Sequence, residues 1–184
     1  VLTSRFVYIV KNLNVDFNRI IAVTFTNKAA NEIKERVNKA LNHNIESPWI
    51  GTFHSIFAKF LRKYAHYVSL KSNFNILDSE DQKKLIKQVL EYCKIDKEVS
   101  ESIYLNEIQN LKDEKIFPQD KSKILSYSSL ENIDEIYNVY QQRFIEINAV
   151  DFGDILLHSY FILTNHKDIK ENHSIFNLKL NKFI

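Results

Sequence analysis

The sequence predicts an α/β fold in which an all-helical segment interrupts a parallel sheet. Before residue 76, short apolar runs rich in β-branched residues alternate with amphipathic helical patterns, which is typical of parallel strands joined by helices. From residue 76 to residue 149, one helical pattern follows another and no strand is predicted. With 184 residues, of which 45% are hydrophobic, the chain is long enough to bury a sizeable core.

The first predicted elements are a helix, a buried strand and a second helix. Apolar residues recur with helical spacing over residues 1–13, and the run RIIAVTF at residues 19–25 predicts a strand covered on both faces. A helix follows over residues 26–41, capped by Thr26 or Asn27. Its buried face is predicted to contain Ala30, Ile33, Val37 and Leu41.

A second strand and helix repeat this arrangement. The run WIGT at residues 49–52 predicts a short strand, and the apolar run FNIL at residues 74–77 predicts a third strand of the same sheet. Parallel strands joined in this way require right-handed crossovers. The helix between these two runs is predicted to bury Phe53, Phe57, Phe60 and Tyr64 and to expose Lys59, Arg62, Lys63 and His66.

The helical segment is predicted to hold several helices packed through their apolar faces. Ser79 and Gln82 show the pattern of a capping box, and Pro118 is predicted to open a short helix. The predicted buried residues are Leu85, Ile86, Val89, Leu90, Ile103, Ile108, Leu111, Ile133, Tyr137, Tyr140, Phe144 and Ile147. A last helix begins at Asp151 and is predicted to bury Phe152, Ile155, Leu156 and Leu163.

Composition excludes several classes of protein. No apolar run reaches the roughly 18 residues of a membrane span, and the single cysteine, Cys93, excludes an internal disulfide framework and a multi-cysteine zinc site. We therefore expect a soluble, cytoplasmic protein with no membrane partner. Gly51 and Gly153 are the only glycines, so no phosphate-binding loop of the GxxxxGK[ST] type is present in the sequence. Because position 1 is valine, we expect the chain to be part of a longer protein.

Charge is distributed unevenly along the chain. Residues 1–75 carry 11 Lys and Arg against 4 Asp and Glu, whereas residues 76–149 carry 10 against 15. A basic first block suits an anionic partner, for which nucleic acid is the commonest candidate. The alternative is an ordinary solvated surface.

The segment AVTFTNKAA at residues 22–30 is the first candidate site. Its strand brings Thr24, Phe25, Thr26, Asn27 and Lys28 to the carboxyl edge of the sheet, where ligands bind in open α/β folds. Hydroxyl, amide and ammonium groups at a helix start suit a nucleic-acid backbone, and the aromatic ring suits stacking on a base. The alternative is a strand end followed by a helix cap, with the aromatic ring in the core.

The segment WIGTFHSIF at residues 49–57 is the second candidate site. It brings Thr52, His54 and Ser55 to a similar strand-to-helix turn, and Gly51 permits a tight backbone approach. The alternative is that Thr52 caps the helix and Phe53 fills the core. Two neighbouring strand ends with hydroxyl-rich turns favour a shared surface.

Other candidate residues favour structural roles. Asp151 and Asp154 lie three residues apart at a helix start, where acidic residues act as caps; a catalytic carboxylate pair is the alternative. The six histidines show no metal-binding spacing, and Cys93 lies on the apolar side of a predicted helix as a structural thiol.

Three segments together resemble the UvrD/Rep/PcrA family of superfamily 1 DNA helicases. IIAVTFTNKAANEIKERV is similar to motif Ia of that family, and WIGTFHSIFAKFLR is similar to its motif Ib. FNILDSEDQ and VDFGDILL resemble the entry into and the return from the family's helical accessory subdomain. The opening VLTSR resembles the residues that follow the family's GKT loop. The resemblance runs over about residues 1–165.

The resemblance implies a P-loop NTPase fold and a DNA-translocating function. It divides the chain into a partial RecA-like motor domain (1–75), a helical accessory subdomain (76–149) and a return to the motor domain (150–184). The family hydrolyses ATP with Mg²⁺ and moves 3′ to 5′ along single-stranded DNA. The implied DNA contacts are Thr24, Phe25, Thr26, Asn27, Lys28, Thr52, Phe53, His54 and Ser55.

The departures from the family imply that this chain is a fragment. The family's GxGKT and DExxQ motifs would lie before Val1 and after Ile184, so we expect no ATP or Mg²⁺ to be held by this chain alone and no ATP hydrolysis by it. Its expected partners are single-stranded DNA and the remainder of the helicase. The alternatives are a non-catalytic single-strand-binding module and the inactive product of a split gene.

Overall fold

The computed structural model describes residues 2–17, 20–42, 49–95 and 100–172. It has two compact units, of which the first comprises Val1–Phe60 and Leu163–Ile184 and the second comprises Leu61–Ile162. The structure is a mostly helical α/β fold. No helix in the described part of the chain combines the length and the apolar character needed to cross a membrane.

Helices account for most of the described residues. They are α1 (Leu2–Asn12), α2 (Asn27–Leu41), α3 (Phe53–Tyr64), α4 (Ser79–Tyr92), α5 (Glu101–Asp113), α6 (Lys121–Tyr127), α7 (Ile133–Glu146), α8 (Phe152–Asn165) and α9 (Lys167–Asn172). A 3₁₀ turn, Ala65–Val68, follows α3. The strands are β1 (Ala22–Thr24), β2 (Ile50–Thr52), β3 (Asn75–Ile76) and β4 (Ala149–Val150).

The strands form two parallel pairs in the described residues, β1 with β2 and β3 with β4. The prediction that the FNIL run continues the first sheet is wrong, because β3 pairs instead with a strand more than 70 residues later in the chain. Local periodicity could not reveal β4, which has only two residues and directly precedes a helix. β1 is shorter than the predicted run, whose first residue, Arg19, lies outside the described residues.

The core of the first unit forms where α1 and α2 cover β1 and β2. Its buried residues are Phe6, Ile20, Ala22, Val37 and Ile50. Ile33 and Leu41 pack against them, so the predicted apolar face of α2 is confirmed. Thr26 caps this helix, and its Oγ1 accepts a hydrogen bond of 3.2 Å from the Ala29 N–H. The backbone of Thr26 is extended, whereas Asn27 is already helical.

Arg62 differs from its predicted exposure. Its guanidinium lies 4.3 Å from the centre of the Phe74 ring and donates hydrogen bonds to the backbone oxygens of Ser72 (3.1 Å) and Phe74 (2.9 Å). A planar cation can stack on a ring while its N–H groups bind carbonyls at the edge. The predicted exposure of Lys59 and Lys63 is confirmed. Helical spacing carries no information about the contact of Arg62 with Phe74, because that residue lies outside the helix.

The start of α4 is capped one residue earlier than predicted. Asp78 is the cap, and its Oδ1 accepts hydrogen bonds of 2.9 Å from the N–H groups of Glu80 and Asp81. The Gln82 side chain does not close a capping box, because it donates instead to the Leu77 oxygen. A carboxylate also complements the positive end of the helix dipole. This explains why the Asp78 carboxylate, rather than the predicted Ser79 hydroxyl, is the capping group.

The core of the second unit is built mainly by α4, α5 and α7. The predicted residues confirmed as buried are Leu85, Ile86, Val89, Leu90, Ile108, Leu111, Ile133, Tyr137, Tyr140 and Phe144. Ile103, Ile147 and Phe152 are about half exposed, at 50%, 49% and 51%, and their predicted burial is wrong. Each lies at or beside a helix end, where helical spacing no longer decides which side is covered. Pro118 lies in a turn, and α6 begins at Lys121.

A buried ion cluster connects α5 to the start of α8. Lys112 Nζ lies 2.6 Å from Asp151 Oδ2 and 2.7 Å from Asp154 Oδ1, and its side chain has no exposed surface. Each aspartate also accepts a hydrogen bond from the other's backbone N–H, at 3.1 and 2.8 Å. The predicted capping role of both aspartates is confirmed. No sequence pattern had indicated the lysine.

Charge in this cluster is set by burial and by close partners. Burial opposes the charge of Lys112, but the two carboxylates outweigh it and raise the pKa of the ammonium. Burial likewise acts against ionisation of Asp154, but Lys112 and then His158 hold its pKa below the ordinary value. Burial and the neighbouring Asp154 raise the pKa of Asp151. The lysine is therefore the charge that keeps two carboxylates compatible with the interior.

Removing Lys112 should be far more damaging than removing a lysine from a surface ion pair. Lys112→Ala leaves two facing buried carboxylates without a cation, and we expect a loss of roughly 3–5 kcal/mol in the free energy of unfolding. Lys121→Ala is the control, because Lys121 pairs with Asp134 at 2.7 Å but is 72% exposed, and its loss should change the free energy of unfolding far less. Urea denaturation measures both. Similar small losses would show that the cluster does not stabilise the unit.

Candidate nucleic-acid interface

The register of the first sheet brings the two predicted segments together. β1 and β2 are parallel, and Thr24 lies opposite Thr52 as the last pair of the ladder. Because the carboxyl ends of parallel strands lie at the same edge of a sheet, the turns that follow both strands share that edge. α2 begins at Asn27 and α3 at Phe53, so two helix starts lie there as well.

The first turn exposes an aromatic ring and, three residues later in the chain, a cation. Phe25 is 86% exposed, which excludes the alternative that it fills the core. Its ring centre lies 5.8 Å from that of Phe53, and the ring planes are tilted by 52°. Asn27 and Lys28 are exposed in the first turn of α2, which contains no acidic residue. This turn therefore offers an apolar face and a positive charge to the same ligand.

The second turn is held by a pair of local hydrogen bonds. Thr52 Oγ1 accepts from the Ser55 N–H at 3.3 Å, and Ser55 Oγ donates to the Thr52 backbone oxygen at 2.9 Å. His54 and Ser55 are exposed, while Thr52 and Phe53 are half-buried. The first turn of α3 also lacks acidic residues. Both helix starts thus present backbone N–H groups and the positive end of a helix dipole without a competing carboxylate.

Gly51 allows this turn to close tightly. A Cβ atom at this position would lie 2.6 Å from Ser55 Oγ, well inside the closest contact that such atoms make. The hydroxyl that occupies this space is the one that bonds to the Thr52 oxygen. The glycine is needed for a close approach of the Ser55 side chain rather than for an unusual backbone angle.

The arrangement suits binding of an extended anion with flat groups. Two helix starts and one ammonium favour phosphates, and the Phe25 ring can stack on a base. The described residues contain no group of three His, Cys, Asp or Glu side chains suited to hold a metal ion. The two glycines of the sequence lie against Ser55 and against Gln109 and Lys112, not in a phosphate-binding loop.

Comparison with known protein families gives a match over most of the chain. The UvrD/REP helicase N-terminal domain family matches residues 1–175. The chain belongs to this family. The match includes every residue that the structure describes.

Individual relatives of the UvrD/REP family support the same conclusion. The chain is 36% identical over 174 residues to a probable DNA helicase II homolog from Mycoplasma capricolum subsp. capricolum. The aligned region covers 92% of this chain and 24% of the relative. It is 37% identical over 158 residues to the ATP-dependent DNA helicase PcrA of Staphylococcus aureus, covering 85% of this chain and 22% of the relative. The Staphylococcus epidermidis PcrA is 35% identical over 158 residues. The chain spans less than a quarter of the length of these relatives.

The structure assembles all nine residues implied by the UvrD-type resemblance at one edge of the first unit. They lie at positions 24–28 and 52–55, which the strand register sets side by side. Sequence reasoning did not foresee the contact between the Phe25 and Phe53 rings. The signal was present, because the same pair of residues, Thr-Phe, ends each of two strands predicted to be neighbours.

A methyl group at position 51 should disturb the second turn, and loss of the Ser55 hydroxyl should relieve the effect. We expect Gly51→Ala to lower the free energy of unfolding by about 1–3 kcal/mol, as overpacking commonly does. In the double variant Gly51→Ala/Ser55→Ala the clashing oxygen is gone, so most of that loss should be recovered. Urea denaturation of both single variants and the double variant gives the coupling. Additive losses would contradict the role given to the glycine.

Proposed function

We propose that this chain is the single-stranded-DNA-contacting part of an ATP-dependent 3′–5′ DNA helicase. Its relatives of the same family are named as DNA helicases, two of them as ATP-dependent. The observation that carries the proposal is the alignment of the two strand-to-helix turns at one sheet edge, where Phe25 and Lys28 are both exposed. A DNA strand that crosses this edge would meet both turns in succession.

Each turn supplies contacts of a different kind to the strand. In the first turn, Lys28 and the start of α2 hold phosphate oxygens, Thr24, Thr26 and Asn27 provide hydrogen-bonding groups, and Phe25 stacks on a base. In the second turn, the start of α3 binds the next part of the backbone. Its contacts come from Thr52, Phe53, His54 and Ser55. None of these contacts depends on base identity, which suits an enzyme that moves along any sequence.

The catalytic part of the reaction is assigned to the remainder of the longer protein. In this proposal the first 75 residues and residues 150–184 belong to a RecA-like motor domain, and residues 76–149 form its helical accessory subdomain. ATP and Mg²⁺ would be bound mainly by residues outside this chain, because its sequence contains no GxxxxGK[ST] loop for the phosphates. The chain alone would then bind DNA without hydrolysing ATP.

A non-catalytic single-strand-binding module is the alternative. It uses the same surface, and the observation in its favour is that every implied contact lies within the first unit while the sequence contains no GxxxxGK[ST] loop. Both functions require that DNA bind without nucleotide. The inactive product of a split gene, in contrast, would be poorly stable and would show no cooperative thermal melt.

Variants of the first turn should separate the charge contact from the stacking contact. We expect Lys28→Ala to weaken binding of a labelled oligo(dT) and to reduce the slope of log K against log salt by about 0.7, the value for one phosphate on a single strand. Phe25→Ala should cost about 1–3 kcal/mol of binding free energy and leave that slope unchanged, because a stacked base releases no counterion. Fluorescence anisotropy over a series of salt concentrations measures both quantities.

Two matched variants control for general effects of charge and apolar surface. Lys39 is exposed near the far end of the same helix α2, and Tyr8 is an exposed aromatic residue on α1. Lys39→Ala and Tyr8→Ala should therefore leave the affinity close to that of the parent chain. If Lys39→Ala weakened binding as much as Lys28→Ala, the binding would reflect overall charge and the proposed contact would be wrong.

A further inference from the structure

Two phenylalanine rings meet at the sheet edge that is proposed to bind DNA. Phe25 directly follows Thr24, and Phe53 directly follows Thr52; these two threonines are partners at the end of the strand ladder. The phenylalanines therefore hold equivalent positions on neighbouring strands, which run close together. Their ring centres lie 5.8 Å apart and the ring planes are tilted by 52°, which is within the range of a favourable aromatic pair.

The surroundings of the two rings differ. Phe25 is 86% exposed in the turn between β1 and α2, so few neighbours restrict its side chain. Phe53 is half-buried and is the first residue of α3. An exposed aromatic side chain loses rotational freedom when it stacks on a base, and this loss weakens binding. A contact that already restricts the ring in the free protein reduces that cost.

The geometry of the contact leaves the Phe25 ring available to a ligand. Because the planes are tilted by 52° and Phe25 remains 86% exposed, Phe53 covers little of the Phe25 surface. The contact can therefore limit rotation of the ring without occupying the surface on which a base would stack.

We propose that Phe53 is a positioning residue for Phe25: it holds the exposed ring in the orientation that stacks on a base and so strengthens binding of single-stranded DNA. This inference rests on the proposed function and extends it, because it adds an indirect role to the contact assigned to Phe53 in the second turn. A residue that acts in this way affects binding only when both the Phe25 ring and a base are present.

A double-mutant cycle in the whole chain tests this dependence, with binding of labelled oligo(dT) measured by fluorescence anisotropy. Phe53→Leu should weaken binding roughly two- to tenfold, because it frees the Phe25 ring in the unbound protein. In the Phe25→Ala background the same substitution should cause little further loss, since no ring remains to be positioned. Losses of equal size in both backgrounds would overturn the proposal.

A strand of the same length without bases separates positioning from general damage to the turn. Phe53→Leu should leave the affinity for this abasic strand unchanged, and Phe53→Tyr, which keeps an aromatic ring, should bind oligo(dT) nearly as tightly as the parent chain. Phe17→Leu is the matched control and should leave the affinity unchanged, because Phe17 is a half-buried residue of the same unit that precedes β1, at the other end of the strand. Equal losses for oligo(dT) and the abasic strand in Phe53→Leu would overturn the proposal.

The outcomes separate this proposal from the proposed function. If the parent chain does not bind oligo(dT), or if Phe25→Ala binds it as tightly as the parent chain, the DNA-binding role of this edge is wrong and the positioning role is wrong with it. If Phe25→Ala weakens binding but Phe53→Leu does not, only the positioning role is wrong.

A measurement on the unmodified chain covers the case in which Phe53→Leu does not fold. Three-bond nuclear magnetic resonance couplings to the Cγ atom of Phe25 report which staggered χ1 rotamers the side chain occupies. We expect one dominant rotamer in the absence of DNA, although the side chain is 86% exposed. Averaging over several rotamers would overturn the proposal, because the ring would then not be held.

Discussion

Parallel pairing of β1 with β2 is the constraint on which the candidate interface depends. Each strand has only three residues, and their pairing is covered by the apolar faces of α1 and α2 through residues such as Phe6 and Val37. A slip of one residue would turn the strand side chains to the opposite faces and separate Thr24 from Thr52. Because the register holds, two turns distant in sequence act as one surface, and the contact between the Phe25 and Phe53 rings joins them.

A different constraint governs the second unit. Lys112, Asp151 and Asp154 bring together positions 39 residues or more apart in the chain, at ion-pair distances of 2.6 and 2.7 Å. Close packing follows from this contact, since a Cβ on Gly153 would lie 3.0 Å from the Lys112 side chain. A buried ion pair stabilises a protein little more than well-packed apolar residues of the same volume would. Removal of one partner, however, is strongly destabilising, because it leaves the other charge buried and unpaired. The cluster thus fixes how α5 meets the start of α8.

Sequence periodicity predicts the features that depend on residues close together in the chain, such as the buried face of a helix. The buried faces of α2, α4 and α7 were predicted almost residue by residue, because a core covers one side of each helix. Periodicity could not predict tertiary contacts. The pairing of β3 with β4, the stacking of Arg62 on Phe74 and the burial of Lys112 each depend on a partner that is not adjacent in the sequence. At the interface, residue patterns left the position of Phe25 open between core and surface, and only the structure shows it exposed.

Backbone amide chemical shifts recorded during titration with unlabelled oligo(dT) test the central claim most directly. If one strand crosses both turns, the amides of Phe25–Lys28 and of Phe53–Ser55 should shift together, with a single apparent affinity. The amides of α6, which lies in the other unit, should remain unchanged. Shifts at only one of the two turns, or different affinities at each, would contradict a continuous DNA-binding surface at this sheet edge.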